Sequence, residues 1–527
     1  MVTEAVSGIQ RALPRRSMGG LIAISIFWFA LNFHWAALLT ILIPSQVIGL
    51  LFREAPAGSL ASQSAWVSGH EGLTLAIVIA PGLVVALLSN PFFGLLSDRT
   101  PLGRLGKRRP YILGGTVLNV VGLAVMALAP TTFTVGGSGN PLAPSLLLMM
   151  VGLMVTQLGN NAAAAPFHAY LPDFVPEHQR GTASGIMGLA LLLGQIGGAI
   201  TPSIVGFNSK QLLAGGQSFS TYNAGIVSAY AIVAVVMVLM AVLTAATVRE
   251  GRWAGSAATT TPSPMGPMLR ALGFTVLAVV VLVVGFLALL PARIGLALND
   301  TSLSALQIIG VVVAGLGAVW AFDFRPRRAP DFSWVVLTRM LVMMGVDIVQ
   351  TFLLLYMQDV AHAPSPQTAT TIFIIILTLT AALSTIFAGW GSDRFGRKRM
   401  VYISGSFMAA VGAAFVIAPY VVPAGVLTVA FAASAVFGLG YGAYLAVDWA
   451  LVADVLPSDA TFARDMGVWN IALTVPQVLA AVFGGWMLAL GVALGAKSLG
   501  YTFLFVAFVV FCVLGTVTVR YIRGVAR

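Results

Sequence analysis

Apolar runs of about 20 residues recur along almost the whole 527-residue chain, and each is long enough to cross a bilayer as an α-helix. In lipid, only helices and closed barrels satisfy all of their backbone hydrogen-bonding groups. A β-barrel would show alternating segments of roughly ten residues rather than continuous apolar runs. Charged residues make up only 9% of the sequence, whereas soluble domains carry roughly 25%. The sequence therefore predicts an all-α, polytopic membrane protein.

The apolar runs form two sets of six helices, with a further pair between the sets. The first set is predicted at 20–44, 73–97, 111–130, 144–168, 181–206 and 225–248. The second set, helices seven to twelve, is predicted at 334–360, 368–391, 400–420, 423–453, 465–490 and 499–521. The inserted pair, at 271–292 and 304–323, follows a Ser-, Thr- and Pro-rich stretch that reads as a flexible linker. We therefore predict about 14 membrane helices in three regions, 1–248, 249–333 and 334–527.

The net charge of +11 has a one-sided distribution along these predicted spans. Most basic residues fall in loops on one side, including the loops around Arg99–Arg109 and Arg394–Arg399, whereas Arg53, Lys210, Arg293 and Lys497 are nearly alone on the other. This pattern predicts that both termini lie in the cytoplasm, with the cytoplasmic (inner) membrane as the expected location. We expect anionic lipid headgroups, and not nucleic acid, to be the partners of the excess charge.

Several chemistries find no support in the sequence. There is no Gly-x-x-x-x-Gly-Lys-Ser/Thr loop for nucleotide phosphates, no His-Glu-x-x-His zinc pattern and no nucleophile elbow. The single cysteine, Cys512, lies in the last apolar run and is interpreted as a buried structural thiol. We therefore expect neither enzymatic activity nor a cofactor nor a bound metal.

A short basic motif occurs once in each half. Residues 94–99 (GLLSDR) precede 106–109 (GKRR), and residues 389–394 (GWGSDR) precede 396–399 (GRKR). Each copy joins two predicted helices, so that Asp98 and Asp393 can meet the positive N-terminus of a neighbouring helix or a nearby arginine. We interpret Asp98, Arg99, Asp393 and Arg394 as gating residues. The alternative is that the arginines only fix the topology, which we favour for Arg108, Arg109 and Arg399.

A second repeated stretch joins the fourth and fifth helices of each half. The first copy runs from His168 through Asp173 to Arg180, and the second copy contains Asp454 and Arg464. We interpret these acid–arginine pairs as ion pairs that switch during gating rather than as substrate ligands. Two parallel six-helix repeats are typical of one transporter architecture.

At these motifs the chain resembles the major facilitator superfamily, and more narrowly its glycoside and sucrose–cation symporter branch. The narrower resemblance is carried by residues 97–110 (SDRTPLGRLGKRRP), 30–44 (ALNFHWAALLTILIP) and 467–477 (GVWNIALTVPQ). The chain departs from the branch in its inserted helices and in Lys107, where the sucrose-type loop usually has arginine. The resemblance implies two six-helix bundles around a central cavity lined by helices one, four, seven and ten.

Two titratable groups lie deep in the predicted spans, where such groups are functional by default. His34 is near the middle of helix one and Asp347 near the middle of helix seven, so the resemblance places them across the cavity from each other. Either could carry a coupling proton. The alternatives are a neutral His34 in a helix contact and a static pair of Asp347 with Arg339.

Further polar candidates suit a ligand rich in hydroxyl groups. Asp448 in helix ten could take a proton, bind a hydroxyl or pair with a basic loop, and its neighbour Trp449 could stack on a sugar ring. Amides can donate and accept at once. The amides that we include in the candidate site are Asn32, Gln157, Asn161 and Gln350. The alternative is that these amides only join helices.

These observations predict a secondary active transporter that works by alternating access. We expect proton-coupled symport of a sugar or a similar small polar solute, with sodium as a possible coupling ion and a monomer as the working unit. Two alternatives stay open. One is a proton-driven exporter of amphiphilic compounds with a cavity dominated by Met343, Met344 and aromatic side chains, and the other is a membrane scaffold without transport.

Overall fold

The fold was analysed in a computed structural model of the chain. It describes residues 15–99, 106–130, 142–168, 170, 174–176, 179–248, 273, 327, 329–455 and 462–523. Twelve helical segments in these ranges are long and apolar enough to cross a membrane. The predicted all-α architecture is therefore confirmed. The inserted helices at 271–292 and 304–323 lie outside the described residues apart from Gly273, so the predicted total of fourteen stays a prediction.

The N-terminal half contains the first six membrane spans. Its helices are α1 (Met18–Ala37), α2 (Ile43–Glu54), α3 (Leu60–Arg99), α4 (Arg109–Ala127), α5 (Leu142–His168), α6 (Arg180–Ile204), the short α7 (Ser209–Leu213) and α8 (Phe219–Thr247). A π-helical turn at Leu38–Leu42 joins α1 to α2, so the two form one continuous span. Pro44 follows this turn, where the missing backbone N–H of proline coincides with the change in helical hydrogen bonding.

The C-terminal half contains the other six membrane spans. Its helices are α9 (Pro330–Asp359), α10 (Pro366–Phe395), α11 (Arg397–Val421), α12 (Val426–Val455), α13 (Phe462–Ala493) and α14 (Lys497–Thr518). Most predicted bounds agree with these helices within a few residues. The first two were too short, because α2 continues to Glu54 and α3 begins at Leu60, where polar residues obscure the apolar run.

The two halves repeat the same helix packing. In the N-terminal half, α1 packs on α6 and α8, α3 on α5, and α4 on α5 and α8. In the C-terminal half, the corresponding pairs are α9 with α13 and α14, α10 with α12, and α11 with α12 and α14. The internal duplication that the repeated motifs indicate is thus present in the three-dimensional arrangement.

Glycines allow the closest of these helix contacts. A Cβ atom built on Gly115 of α4 would lie 2.5 Å from the backbone nitrogen of Ala163 on α5. One built on Gly152 of α5 would lie 2.5 Å from the side chain of Met126 on α4. Small residues let helix backbones approach closely, which replaces the hydrophobic driving force that lipid does not supply.

The halves meet each other through α3 with α13 and through α6 with α10. A Cβ atom built on Gly485 of α13 would lie 2.7 Å from the Cβ of Ala76 on α3. Hydrogen bonds between the halves join Ser203 to Thr371, Gln195 to Thr378, Ser45 to Gln367, Gln358 to Ser209, Pro364 to Asn208 and His362 to Lys210. Most of these residues lie near the helix ends around Glu54, Ile204, Asp359 and Ala493. We call this end of the molecule the Glu71 face, after the buried Glu71 near the start of α3. The opposite end is the Arg108 face, after Arg108, which directly precedes α4.

Candidate functional site

A buried ion pair joins two helices inside the C-terminal half. Arg339 lies on α9, Asp448 lies on α12, and the Arg339 Nη1 group donates to the Asp448 carboxylate. The two residues are 3% and 1% exposed, respectively. Tyr444, one helical turn before Asp448, donates its hydroxyl proton to the other carboxylate oxygen at 3.2 Å. The described partners of Asp448 therefore come from its own helix and from α9.

Asp347 lies on the same helix as Arg339, two turns further along, and is 8% exposed. Its carboxylate feels the positive charge of Arg339. Within the described part of the chain, Asp347 Oδ2 and Arg339 Nε are both buried without a hydrogen-bond partner. The guanidinium of Arg339 therefore binds Asp448 directly and attracts Asp347 without a described bond to it, and the group of three carries one excess negative charge when both carboxylates are ionised. We call Arg339, Asp347 and Asp448 the central cluster.

An aromatic ring fixes the guanidinium from a third helix. Trp469 of α13 is buried, and its ring centroid lies 3.5 Å from Arg339 Cζ. A cation over a tryptophan face is attracted by the electron density of the ring, and this attraction is larger away from water. The central cluster is therefore positioned by α9, α12 and α13 together.

In the N-terminal half, His34 of α1 is completely buried against α4. Asn119 of α4 lies with its Nδ2 3.2 Å from His34 Nε2, and the same Nδ2 donates to the backbone oxygen of Thr156 on α5 at 3.2 Å. Among described contacts, His34 Nδ1 and Asn119 Oδ1 have no hydrogen-bond partner. Three helices of this half are thus joined at one buried amide.

This geometry selects one form of the imidazole ring. The carbonyl of Thr156 accepts only, so the amide of Asn119 must turn its NH₂ group toward it. The second N–H of that group then points at His34 Nε2, which has to accept, and the ring proton resides on Nδ1. A second proton on Nε2 would face a donor, so the contact favours neutral His34.

The predicted amides concentrate on α5 but differ in their surroundings. Gln157 and Asn161 are buried, and Asn161 donates to the backbone oxygen of Gln157 at 2.9 Å. Asn32 of α1 donates in the same way to Trp28 at 2.8 Å. Gln350 is exposed on α9 and is not brought into contact with the central cluster by any described bond. The Nδ2 groups of Asn32 and Asn161 thus bond within their own helices.

Most predicted gating side chains lie outside what the structure describes. The structure does not describe Asp173, nor the side chains of Asp98, Arg99, Arg180, Asp393, Asp454 and Arg464. The side chain of Trp449, a candidate for the substrate site, also lies outside the described residues. Arg394 is described; it is exposed, with its Cζ 5.8 Å from the ring of Phe395. The gating assignments stay predictions.

Two arginines of the first basic loop make specific contacts, although we favoured a role in topology alone. Arg108 is buried and donates from Nη1 to the hydroxyl of Ser97 on α3 at 2.6 Å. Arg109 donates from Nε to the backbone oxygen of Val248 at 2.7 Å. Val248 caps the C-terminus of α8, where a cation is favoured by the helix dipole. The loop therefore ties α3 and α8 to the start of α4.

Comparison with known sequences identifies the family. A profile described as "MFS/sugar transport protein" matches residues 66–300, and one described as "Major Facilitator Superfamily" matches residues 335–526. The two matches together cover the chain from α3 to α14, apart from the stretch between residues 300 and 335. The chain belongs to the major facilitator superfamily. The family resemblance in the sequence is thereby confirmed, and members of this superfamily are transporters rather than enzymes.

Among curated relatives, a superfamily member from Oryza sativa subsp. indica, "Sucrose transport protein SUT2", is 29% identical over 192 residues. That match covers 33% of this chain and 36% of the rice protein. The "General alpha-glucoside permease" of Schizosaccharomyces pombe is 25% identical over 195 residues, covering 37% of this chain and 32% of the yeast protein. The chain thus matches only about a third of the length of these relatives.

Solved structures of the superfamily resemble the whole chain. The xylose transporter XylE from E. coli, in a partially occluded inward open conformation, has a TM-score of 0.58 at 16% identity, covering 95% of this chain and 97% of that one. A peptide transporter POT mutant in complex with sulfate has a TM-score of 0.64 at 16% identity and covers 98% of both chains. At these identities the likeness shows the shared fold alone.

Some residues of the site escaped the sequence analysis. Asn119 and Trp469 lie in apolar runs beside many similar residues, and only the helix packing shows what they contact. Glu71 of α3 and Asp359 of α9, which both pair with Lys497 at the Glu71 face, were missed for another reason: the predicted second helix began at 73, and Asp359 stood at the last turn of helix seven. A search for acids just before or at the end of an apolar run would have found both.

Proposed function

We propose that this member of the superfamily is a secondary active transporter that carries a sugar, or a similar small polar solute, together with a proton by alternating access. The names of the curated relatives, which are sucrose and alpha-glucoside carriers, support the substrate class. The central cluster supports proton coupling. The observation that carries the proposal is the buried Asp347 Oδ2, which has no hydrogen-bond partner among the described residues, within the electrostatic influence of an arginine that already binds Asp448.

A proton fits this position for two reasons. It adds almost no volume, so it can occupy a space in which both Asp347 Oδ2 and Arg339 Nε are closed off from water. It also removes the excess negative charge of the central cluster, and an uncompensated charge in a low-dielectric interior is costly. Asp448 keeps its partner in either state. Asp347 is therefore the carboxylate whose charge changes during transport.

A solute rich in hydroxyl groups could bond to Asp347 Oδ2 and Arg339 Nε, which make no described hydrogen bond. A hydroxyl group can donate to Asp347 and accept from Arg339 Nε at the same time. Both atoms are closed off in the present conformation, so such a contact forms only after a rearrangement of α9 or its neighbours. Binding of the solute is thereby linked to the protonation state of Asp347.

The contacts between the halves support alternating access. Glycine-mediated packing of α3 on α13 and hydrogen bonds between the halves close the Glu71 face. The positive-inside pattern assigns this face to the exterior, because Arg53, Lys210 and Lys497 are nearly alone there whereas the Arg108 face is strongly basic. In the proposed cycle the structure corresponds to a state closed toward the outside.

The test is uptake of labelled sucrose, maltose and glucose into proteoliposomes with an imposed inward proton gradient. We expect gradient-dependent accumulation by the wild type and its loss in Asp347→Asn, with solute exchange across the membrane retained without a gradient. The matched control is Asp331→Asn, the same substitution in the first turn of α9, which should accumulate solute like the wild type. Absence of accumulation of all three sugars, in protein that responds to other solutes, would contradict the sugar assignment.

The amphiphile exporter that the sequence leaves open would need Met343 and Met344 on a cavity wall. Both side chains are packed in the core, at 1% and 7% exposure. No described contact favours export, and the same vesicles loaded with an amphiphilic dye would detect it as gradient-dependent efflux.

A further inference from the structure

A second charge cluster, in which one carboxylate is fully buried, links the two halves at the Glu71 face. The ammonium of Lys497, at the start of α14, lies 2.5 Å from Glu71 Oε1 on α3 and 2.7 Å from Asp359 Oδ2 at the end of α9. Glu71 has no solvent-exposed surface. One ammonium thus bridges two carboxylates, one from each half of the protein. We call these three residues the Lys497 cluster.

Neutral donors complete the cluster. Tyr501, one turn after Lys497, donates to Asp359 Oδ2, and Gln358 donates to Glu71 Oε2 at 3.4 Å. Gln358 in turn accepts a hydrogen bond from Ser209 of α7 at 2.6 Å. The bonding groups are matched, but the charges are not: two carboxylates face one ammonium.

The imbalance arises only when the halves come together. Lys497, Asp359 and Tyr501 all belong to the C-terminal half, where Lys497 and Asp359 already form a neutral pair. Glu71 is the charge that the N-terminal half contributes. When the Glu71 face opens, Glu71 moves toward water and leaves that pair balanced. When the face closes, an ionised Glu71 would bring one uncompensated negative charge to a position at which its carboxylate has no exposed surface.

We propose that closing of the Glu71 face takes up one proton, which is shared by the carboxylates of Glu71 and Asp359, so that the Lys497 cluster is a proton-binding latch separate from the central cluster. The proton comes from the solvent at this face and returns there when the face opens. It is held between two interacting acids and belongs to the pair rather than to either residue. Asp347 is about 18 Å away along α9 at 1.5 Å per residue, so the two proton sites are distinct.

Among the described residues, the other titratable and charged groups near Glu71 leave this balance unchanged. Tyr222 of α8 is hydrogen-bonded to the backbone of Ser45, and His70 beside Glu71 bonds to Trp66 within α3. Arg53 of α2 pairs with Glu54, and Lys210 of α7 donates to the backbone of His362. Gly485 and Leu488 of α13, which pack on α3 at this level, are uncharged.

The direction of the pH dependence follows from the proton count. The closed state binds one proton more than the open state, so a fall in pH favours closing and a rise in pH favours opening. With one proton exchanged, the ratio of closed to open protein changes by at most about tenfold per pH unit. This inference rests on the alternating access of the proposed function, and the experiment has to separate the two.

The test is a distance measurement by pulsed electron paramagnetic resonance across the Glu71 face. Spin labels are attached to Ser62→Cys on α3 and Leu494→Cys after α13, two exposed positions in different halves, in the full chain in lipid nanodiscs. Cys512 is the only native cysteine and is buried, so it does not compete for the label. The populations of the short and long distances are followed over a pH series without substrate.

We expect the short-distance population of the wild type to grow as pH falls. Glu71→Gln removes the incoming charge, and Asp359→Asn leaves Glu71 balanced by Lys497, so both variants should lose this pH dependence. Glu71→Gln should also stay closed at alkaline pH. The matched control is Glu54→Gln, at the same face but paired within its own half, which should titrate like the wild type.

The outcomes separate the latch from the transport mechanism. Two populations that do not respond to pH in the wild type would overturn the latch and leave alternating access intact. The same holds if the populations of Glu71→Gln and Asp359→Asn respond to pH as those of the wild type do. A shift produced by sodium at constant pH would overturn the proton assignment. One unchanging distance at every pH and with saturating sugar would contradict both the latch and the proposed function.

Discussion

Arg339 and Asp448 form an ion pair between α9 and α12 that is almost completely removed from solvent. Pairs of this kind are not strong net contributors to stability, because bringing two charges out of water offsets much of their attraction. Their importance appears when one partner is lost, since the other is left as an uncompensated buried charge. In this protein we expect loss of Arg339 to cost more than loss of Asp448, because the positive charge of Arg339 also acts on Asp347.

We expect Arg339→Met to lower the free energy of unfolding by about 3–5 kcal/mol, because Asp448 and Asp347 would both lose their counter-charge. Asp448→Leu alone should destabilise less, since Arg339 keeps Asp347 as a partner. The double variant should be more stable than the sum of the single effects predicts. Denaturant unfolding of the four proteins in detergent micelles gives the double-mutant cycle, and simple additivity would contradict a direct pair.

A bulkier residue at the contact between the halves should shift the conformational equilibrium. Gly485→Val places atoms against Ala76 and the backbone of Gly72, and overpacking of this kind costs about 1–3 kcal/mol in the closed state. We expect the long-distance population of the spin-label pair to increase at every pH. Gly188→Val is the control, because a Cβ at Gly188 meets no atom within 4 Å. An unchanged distance distribution in Gly485→Val would show that α3 and α13 do not limit opening.

Replacement of His34 should separate helix packing from proton coupling. His34→Gln keeps an acceptor for Asn119 but cannot take up a proton, and the observed hydrogen bond already favours the neutral ring. We expect proton-driven accumulation to persist at a rate reduced by no more than a few-fold. The measurement is uptake with and without the gradient, compared with Asp347→Asn in the same vesicles. Loss of gradient dependence in His34→Gln would instead assign proton transfer to the histidine.

Removal of Arg109 tests the contact at the Arg108 face. Arg109→Ala deletes the donors to the Val248 carbonyl at the end of α8, and a cation at a helix C-terminus contributes about 0.3–2 kcal/mol. We expect a small loss of thermal stability. Arg108→Ala should cost more, because Arg108 is buried and bonds to Ser97. Thermal unfolding in detergent measures both, and equal stability of Arg109→Ala and wild type would reduce Arg109 to a topology signal.

The architecture could be predicted from the sequence because each membrane span is an apolar run long enough to cross a bilayer. The repeated motifs also indicate that the second half repeats the helix arrangement of the first. The predicted helix bounds were wrong where a helix contains polar residues. Residues 60–72 are helical but contain Ser, His and Glu side chains; His70 bonds within its own helix, and Glu71 bonds to Lys497 and Gln358 of the other half. An apolar-run criterion ends at such residues, although the helix continues.

The candidate site was only partly predictable for a related reason. Asp347, Asp448 and His34 stand out as polar residues in apolar runs, and all three are buried as expected. Which of them are partners depends on helix rotation, which one sequence does not specify. The sequence analysis considered Arg339 as a partner of Asp347, whereas in the structure Arg339 bonds to Asp448, and one oxygen of Asp347 has no partner among the described residues.

Helix α9 contributes Arg339 and Asp347 to one charge cluster and Asp359 to the other. The segment from Asp347 to Asp359 contains neither proline nor glycine and is one unbroken α-helix. A stiff rod transmits any tilt or axial rotation along its whole length, so a displacement at one cluster is also a displacement at the other. Movement of the Lys497 cluster near the membrane surface and movement of the central cluster in the membrane interior are therefore coupled through the helix itself. No chain of intervening side chains is needed for this coupling.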